Sequence, residues 1–425
     1  MYNPITDIRQ KFQDIEVSPE WCFKNVKSTE RWTHGYHRYP AKFLPNIVEK
    51  LIEELTSSND LVADLFAGCG TTLVEAKIHG RKSIGVDINP VAHLITNAKI
   101  QPIAPELLPL YYESLLDSFE GFDESKYNSE KSHKRIDYWF FPEHKAKIAF
   151  LYDNILQIED NQKVRDFFLC ALSNILKNCS KWLQSSTKPQ IDPKKNPIDP
   201  FKAFKIQVKK MLTKNHEFYN ELLSKEFLDT ECEILIEDAR NTSIKTESVS
   251  AIITSPPYVT SYEYADIHQL TAYWYDYISD ISVFRKNFIG TFYSLNQDTN
   301  TPSYIGQDIV NQLVEKDART AKEVANYFND MTEVGSEMKR ILRPGGHACL
   351  VIGNTTLKDV KIKSAEVFAE ILQSFDFKLV DIIKRSIPMK LIPTIRDKKS
   401  GRFSKLSNEN SKLVYPEEYI IIAQK

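Results

Sequence analysis

With 425 residues, of which 42% are hydrophobic and 26% charged, the chain has ample material for a core and an ordinary soluble composition. No apolar run approaches the ~18–20 residues that a membrane span needs, and the first residues lack a signal-peptide shape, so a cytoplasmic location is expected. Cys22, Cys69, Cys170, Cys179, Cys232 and Cys349 lack Cys-x-x-Cys spacing, which argues against a zinc site or a disulfide framework. The formal net charge of −2 leaves the distribution of charge, rather than its sum, to say what the chain binds.

In chain order, Phe43, Leu44, Ile47, Val48, Leu51, Ile52 and Leu55 fall on a helical repeat and predict a helix over 41–55. A short apolar strand over 61–66 follows, then a turn with Gly68 and Gly70, then a helix over 71–79. The glycines allow a sharp bend and close approach of the backbone to a ligand, and the helix start offers unpaired N–H groups. A second strand over 82–87 ends in Asp87, at the position where an acid commonly accepts hydrogen bonds from ribose hydroxyls. A phosphate-cradling Gly-x-Gly-x-x-Gly turn is not completed, because Leu73 stands at the third glycine position. The nucleoside and amino-acid ends of S-adenosyl-L-methionine suit this turn better than a pyrophosphate does.

The stretch 104–230 interrupts the strand–helix alternation with a mostly helical pattern, including the amphipathic positions Val164, Phe167, Phe168, Ala171, Leu172, Ile175 and Leu176. Its Pro-rich break at 185–200 reads as a functional or disordered loop. The chain therefore divides into a first part (1–103), an inserted helical region (104–230) and a second part (231–425). Within the insertion, Lys202, Lys205, Lys209, Lys210 and Lys214 form a basic run without an acid, readable equally as a solvated helix face.

A strand over 232–236 is followed by another over 250–254 that runs into Ser255-Pro256-Pro257-Tyr258. Two prolines cannot continue a strand, so the chain must leave the sheet in a stiff turn presenting Ser255, backbone carbonyls and an aromatic face. Such a turn suits a planar group bearing an exocyclic amine, although by itself it reads equally as a strand terminator. The aromatic-rich segment 259–305 comes next; Tyr273 through Tyr277 read as core, and Tyr262 and Tyr264 as candidates for base stacking. His268 reads as structural. A helix over 321–342 and strands over 347–353, 378–384 and 418–424 complete seven strands and an α/β, Rossmann-like fold.

Together these motifs resemble the amino-group DNA methyltransferases, the enzymes that methylate cytosine N4 or adenine N6. The cofactor loop looks like Asp64-Leu65-Phe66-Ala67-Gly68-Cys69-Gly70-Thr71-Thr72 and the catalytic turn like Ser255-Pro256-Pro257-Tyr258. His37 to Pro45, containing Lys42 and Phe43, resembles the motif upstream of that loop; Gly85 to Pro90, with Asp87 and Ile88, resembles the ribose motif. Asp238-Ala239-Arg240 resembles the motif near the adenine, and Arg343-Pro344-Gly345-Gly346 the turn before a late strand.

The resemblance implies a seven-stranded, doubly wound sheet closed by a final antiparallel strand. It also implies direct methyl transfer, with hydrogen-bond acceptors at Ser255 and at a carbonyl of Ser255 or Pro256, and Tyr258 stacked on an extruded base. In that family Ser at the head of the turn goes mainly with cytosine and Asp with adenine, so cytosine N4 is expected and adenine N6 is the alternative. A catalytically silent DNA-binding subunit is the reading from another class. The implied partners are double-stranded DNA, with phosphates met by Lys398, Lys399 and Arg402 in the basic run 384–405, and a companion restriction endonuclease. No metal is implied. The setting implied is a prokaryotic or phage-infected cell.

Overall fold

The computed structural model describes residues 4–26, 28–127, 133–259, 264–291, 298–387, 395–397, 411–413 and 417–425. Tyr262, Lys398, Lys399 and Arg402 lie outside these residues.

One sheet organises the chain, and all seven expected strands are in it. They are β1 (Leu61–Asp64), β2 (Lys82–Val86), β3 (Cys232–Leu235), β4 (Val249–Thr254), β5 (Leu342–Ile352), β6 (Lys378–Ser386) and β7 (Glu417–Gln424). Their order is β3-β2-β1-β4-β5-β7-β6. The first five are parallel neighbours, whereas β7 runs antiparallel between β5 and β6. The final strand therefore sits inside the sheet rather than at its edge. Strand order reverses between β1 and β4, and the crevice beyond the carboxyl ends at such a reversal is where open α/β sheets bind ligands.

Both faces of the central strands are covered, which explains their unalternating apolar sequences. Successive side chains point to opposite faces, so Val62 and Ile253 pack with Ile47, Val48, Leu51 and Ile52 of the helix Pro45–Leu55. Ala63 and Ile252 pack on the other face with Val324, Phe328 and Met331 of the helix Ala318–Ile341. Leu51 is wholly buried, so truncating it to alanine costs about 2–5 kcal/mol.

Three boundaries differ from the sequence reading, each for a local reason. The helix expected from 41 starts at Pro45, because the proline ring favours the first helical position and forces Leu44 into extended geometry. The helix expected from 321 starts at 318, where the Asp317 side chain caps it by accepting a hydrogen bond from Thr320 N at 2.8 Å. Arg343 to Gly346, expected as a turn, belong to β5. The register against β4 jumps there from Val249–Leu342 to Ala251–His347, a bulge that Gly345 accommodates with a φ of 77°.

The insertion folds as helices, among them Leu107–Asp117, Lys134–Trp139, Pro142–Leu156, Gln162–Cys179 and Pro200–Ser224. It shares one apolar core with the helix Pro90–Ile100 and with Tyr273, Trp274 and Tyr275, which are buried. The Pro-rich loop is packed rather than loose: Leu183 N donates to Gln190 O, Asp192 N to Lys181 O, and Lys195 Nζ to Lys177 O and Trp182 O. On the Pro200–Ser224 helix, Lys202, Lys205, Lys209 and Lys210 are exposed opposite the buried Ala203, Phe204, Gln207 and Val208.

Candidate active site

The turn after β1 is set by Asp64, whose buried carboxylate accepts from Phe66 N at 3.0 Å and from the Thr254 hydroxyl at 2.6 Å. That pair joins the ends of β1 and β4, and so fixes the cofactor loop against the catalytic turn. Burial raises the Asp64 pKa, against the pull of its hydroxyl and N–H donors. Gly70 begins the helix Thr71–Ile78 at φ 74°, and a Cβ there would lie 2.6 Å from Thr96 Cγ2. A side chain there would be strained by the backbone and crowded by Thr96.

Asp87 at the end of β2 ties the second loop to the first. Its carboxylate accepts from Gly68 N at 2.8 Å and Asn89 N at 2.9 Å, which leaves lone pairs for a ligand. Burial pushes its pKa up to about 6, because two backbone donors only partly replace water. Beneath the loop the buried Lys99 donates to Cys69 O at 2.9 Å. Asp238 is gripped by Arg240, which also reaches Asp330 at 2.7 Å. Burial pushes the Asp238 carboxyl up, but the guanidinium hydrogen bonds outweigh it and hold the pKa below the ordinary value.

A single cavity collects most of the sequence-predicted residues: Lys42, Phe43, Asp64, Phe66, Gly68, Thr71, Asp87, Ile88, Asp238, Ala239, Ser255, Pro257 and Tyr264. Its donor set is chemically mixed in the way S-adenosylmethionine requires. A carboxylate (Asp87) is available for vicinal hydroxyls, and the apolar surfaces of Phe66, Ile88 and Ala239 for a purine. Lys42 turns its ammonium away into the N-terminal loop, donating to Thr29 O, Glu30 Oε1 and His34 O.

Gly70, Thr72, Pro256 and Tyr258 do not line the cavity. Gly70 shapes the loop, and Thr72 donates to Ile253 O at 3.2 Å, pinning the helix start to β4. The Tyr258 ring lies against Gly353 and its hydroxyl donates to Glu418 Oε2 at 3.2 Å. The Tyr258 ring therefore lies outside the cavity. The cavity's own aromatic surfaces are Tyr39, Phe43, Phe66, Tyr264 and Phe288.

The turn itself is held from two sides. Ser255 Oγ donates to Val351 O at 3.0 Å, and the hydroxyl of the buried Tyr327 donates to Pro257 O at 2.7 Å. With the serine proton committed to Val351, the lone pairs of Oγ are left as acceptors beside the cavity. Sequence reasoning missed Tyr327 and Lys99, which look like ordinary members of their helices, and gave Tyr39 no role of its own within the His37–Pro45 motif. Away from this cavity, Glu49, Glu53 and His79 bring three ligand atoms within 4.8 Å, but Glu49 is already paired with Arg31.

The family described as DNA methylase matches residues 4–98 and 249–425, more than half of the chain. The chain belongs to that family. It is an S-adenosylmethionine-dependent DNA methyltransferase, and S-adenosyl-L-methionine is its cofactor. Type II methyltransferase M.MvaI of Kocuria varians is 26% identical over 90% of this chain and 89% of its own length. Type II methyltransferase M.BsoBI of Geobacillus stearothermophilus is 27% identical over 56% of this chain and 51% of its own length. A solved S-adenosylmethionine-dependent methyltransferase from Methanosarcina mazei aligns with 10% identity and a TM-score of 0.31, over 88% of this chain and 96% of that one. The methylase's fold assignment rests on its strand order and parallel register. Among the described residues no helix is long and apolar enough to cross a membrane.

Proposed function

We propose that this methylase transfers the methyl group of S-adenosylmethionine to the exocyclic N4 amine of cytosine at specific sites in double-stranded DNA. The supporting observation is the state of Ser255: its proton goes to Val351 O, so its oxygen faces the cavity as an acceptor. An aromatic amine is a poor nucleophile because its lone pair is delocalised into the ring. Accepting its N–H bonds at Ser255 Oγ and at a carbonyl of Ser255 or Pro256 draws the nitrogen toward pyramidal geometry and aims its lone pair. Orientation of this kind is worth up to about 7–11 kcal/mol. The cofactor, when bound, would supply an electrophilic methyl on sulfur: the N–C bond forms as the S–C bond breaks to a neutral thioether, and one amine proton is released to solvent. Tyr327 and the two prolines hold the turn rigid, so the acceptors do not relax when the base arrives. Tyr258, beyond the cofactor cavity, provides the stacking face for the extruded base.

Cytosine is preferred to adenine because Ser255 heads the turn, as in the cytosine-directed members of the resembling family. The helical insertion 104–230 houses DNA recognition, and the 384–405 run, with Lys398, Lys399 and Arg402, contacts phosphates. A companion restriction endonuclease and a cytoplasmic setting in a prokaryotic or phage-infected cell fit the same activity. Nucleoside analysis of duplex DNA methylated by the purified protein tests the reading: N4-methyldeoxycytidine is expected, and N6-methyldeoxyadenosine would overturn the base assignment.

A further inference from the structure

The helix Gln162–Cys179 places Asn174 and Lys177 on one face, one turn apart. Asn174 Oδ1 accepts from Arg38 N at 2.8 Å, so Arg38, the neighbour of the cavity residue Tyr39, sits beside Lys177. Lys177 Nζ donates to Gln184 O at 3.2 Å and Ser186 O at 2.7 Å, and Lys195 Nζ donates to the Gln184 side chain at 3.4 Å. Lys195 also donates to Lys177 O and Trp182 O, which commits its three donors, whereas Lys177 keeps one N–H free of these carbonyls. Among the described residues neither lysine nor Arg38 forms an ion pair. Residues 177–198 carry five lysines and one acid, Asp192.

Two exposed aromatics adjoin this cluster, Tyr138 at 49% and Phe141 at 38%. The Arg135 guanidinium lies 5.4 Å from the Tyr138 ring, and the Lys181 ammonium 5.4 Å from the Phe141 ring. Trp139 and Trp182 stack at 5.1 Å and join the two segments. Arg135 also donates to Gln269 Oε1 at 2.7 Å on the helix Tyr264–Trp274, whose first residue lines the cavity. The face is thus tied to two segments that line the cavity elsewhere, at Tyr39 and at Tyr264.

Three like charges meet at this loop staple. Burial, with Arg38 adding repulsion, lowers the Lys177 ammonium to about 8; burial and Lys177 do the same to Lys195, also to about 8. Carbonyl oxygens satisfy the hydrogen bonds without neutralising the charge, and a polyanion would neutralise it. Cations interleaved with exposed aromatics are the composition of a nucleic-acid surface.

We infer that this face of the insertion, built on Arg38 and Lys177 with Lys195 bracing the loop behind them, grips the phosphate backbone of duplex DNA beside the target base. The assignment rests on the DNA reading above. The test is binding of the full chain to a fluorescent duplex over a salt series, using Arg38→Gln with Lys177→Gln. Each lost phosphate contact flattens the log–log salt slope by about 0.9, so the double variant should lose about 1.8 units. Affinity should fall alike for methylatable and scrambled duplexes, with S-adenosylmethionine binding unchanged. Lys177→Arg, which keeps the charge if the loop shifts, should keep its share of the slope. An unchanged slope in a folded double variant would overturn the assignment. So would a loss of about 0.9 in Lys316→Gln, an exposed lysine on another part of the chain. An unaltered chain that binds no duplex would overturn the DNA reading and this assignment together.

Discussion

Cofactor affinity should follow the ionisation of Asp87. Burial holds this carboxyl near pKa 6, and its two oxygens face Gly68 N and Asn89 N on one side and the cavity on the other. If the ionised form accepts the ribose hydroxyls, only about a tenth of the protein is competent at pH 5, and nearly all of it at pH 8. The dissociation constant of S-adenosylmethionine should therefore be about tenfold weaker at pH 5 than at pH 8, with the bend near 6. Binding below that bend should release up to about one proton, which calorimetry in buffers of different ionisation enthalpy reads directly. The sign for the empty fold is opposite. A carboxyl raised from 3.8 to about 6 contributes most to stability below about 3.8, and that contribution is lost as pH rises through 6.

Asp87→Asn should flatten the affinity profile. An amide presents one acceptor oxygen where the carboxylate had two, so Gly68 N or Asn89 N also loses a partner. The expected cost is about 1–3 kcal/mol of affinity at pH 8, roughly 5- to 150-fold, and Asp87→Ala should cost a similar amount. Glu75, buried behind the loop with its pKa pushed up to about 7, is still present in both variants. A bend that survives Asp87→Asn would belong to another buried acid, Glu75 or the cavity's Asp64, and would refute the ribose assignment.

Ser255→Ala should cut methylation at least tenfold while leaving the S-adenosylmethionine dissociation constant within about twofold, since one acceptor for the amine is lost. Tyr258→Ala should lower methylation by about 10- to 100-fold or more with cofactor binding intact, whereas Tyr258→Phe should keep most activity because the stacking face remains. Equal losses in both Tyr258 variants would mean that the hydroxyl on Glu418, not the ring, matters. Gly70→Ala should destabilise the protein by more than about 1 kcal/mol, seen as a lower melting temperature, because of its φ of 74° and the Thr96 contact. Neutralising Lys398, Lys399 and Arg402 should weaken binding to all DNA sequences alike and flatten the salt slope by about 0.9 per lost contact. Loss of sequence preference at constant slope would instead assign base reading to that run.

The seven strands were legible because a sheet covered on both faces demands compact apolar runs, and those runs survive in the sequence as Val62-Ala63 or Ile252-Ile253. The glycine turn and Asp87 were legible because positive φ and a strand-end acid leave few residue choices. What stayed hidden depends on long-range packing. Nothing local says that the Tyr327 hydroxyl reaches Pro257 O from a helix 70 residues away, or that Lys99 is buried under the cofactor loop. The state of the Pro-rich loop, read as functional or disordered, stayed hidden for a related reason. Proline content signals an irregular backbone, but whether it is loose depends on partners such as Lys195, whose carbonyl contacts appear only after folding. The basic cluster at Arg38, Lys177 and Lys195 was invisible as a run, because its members come from separate segments.

The most direct test is the identity of the methylated atom. Duplex DNA treated with the purified protein and methyl-labelled S-adenosylmethionine, then digested to nucleosides for mass spectrometry, should yield label on the exocyclic nitrogen of deoxycytidine. Label on adenine N6 would keep the acceptor geometry of Ser255 but contradict the choice of base. Label on ring carbon 5 of cytosine would contradict the account itself, because that reaction needs a covalent nucleophile and the turn from Ser255 to Tyr258 contains none.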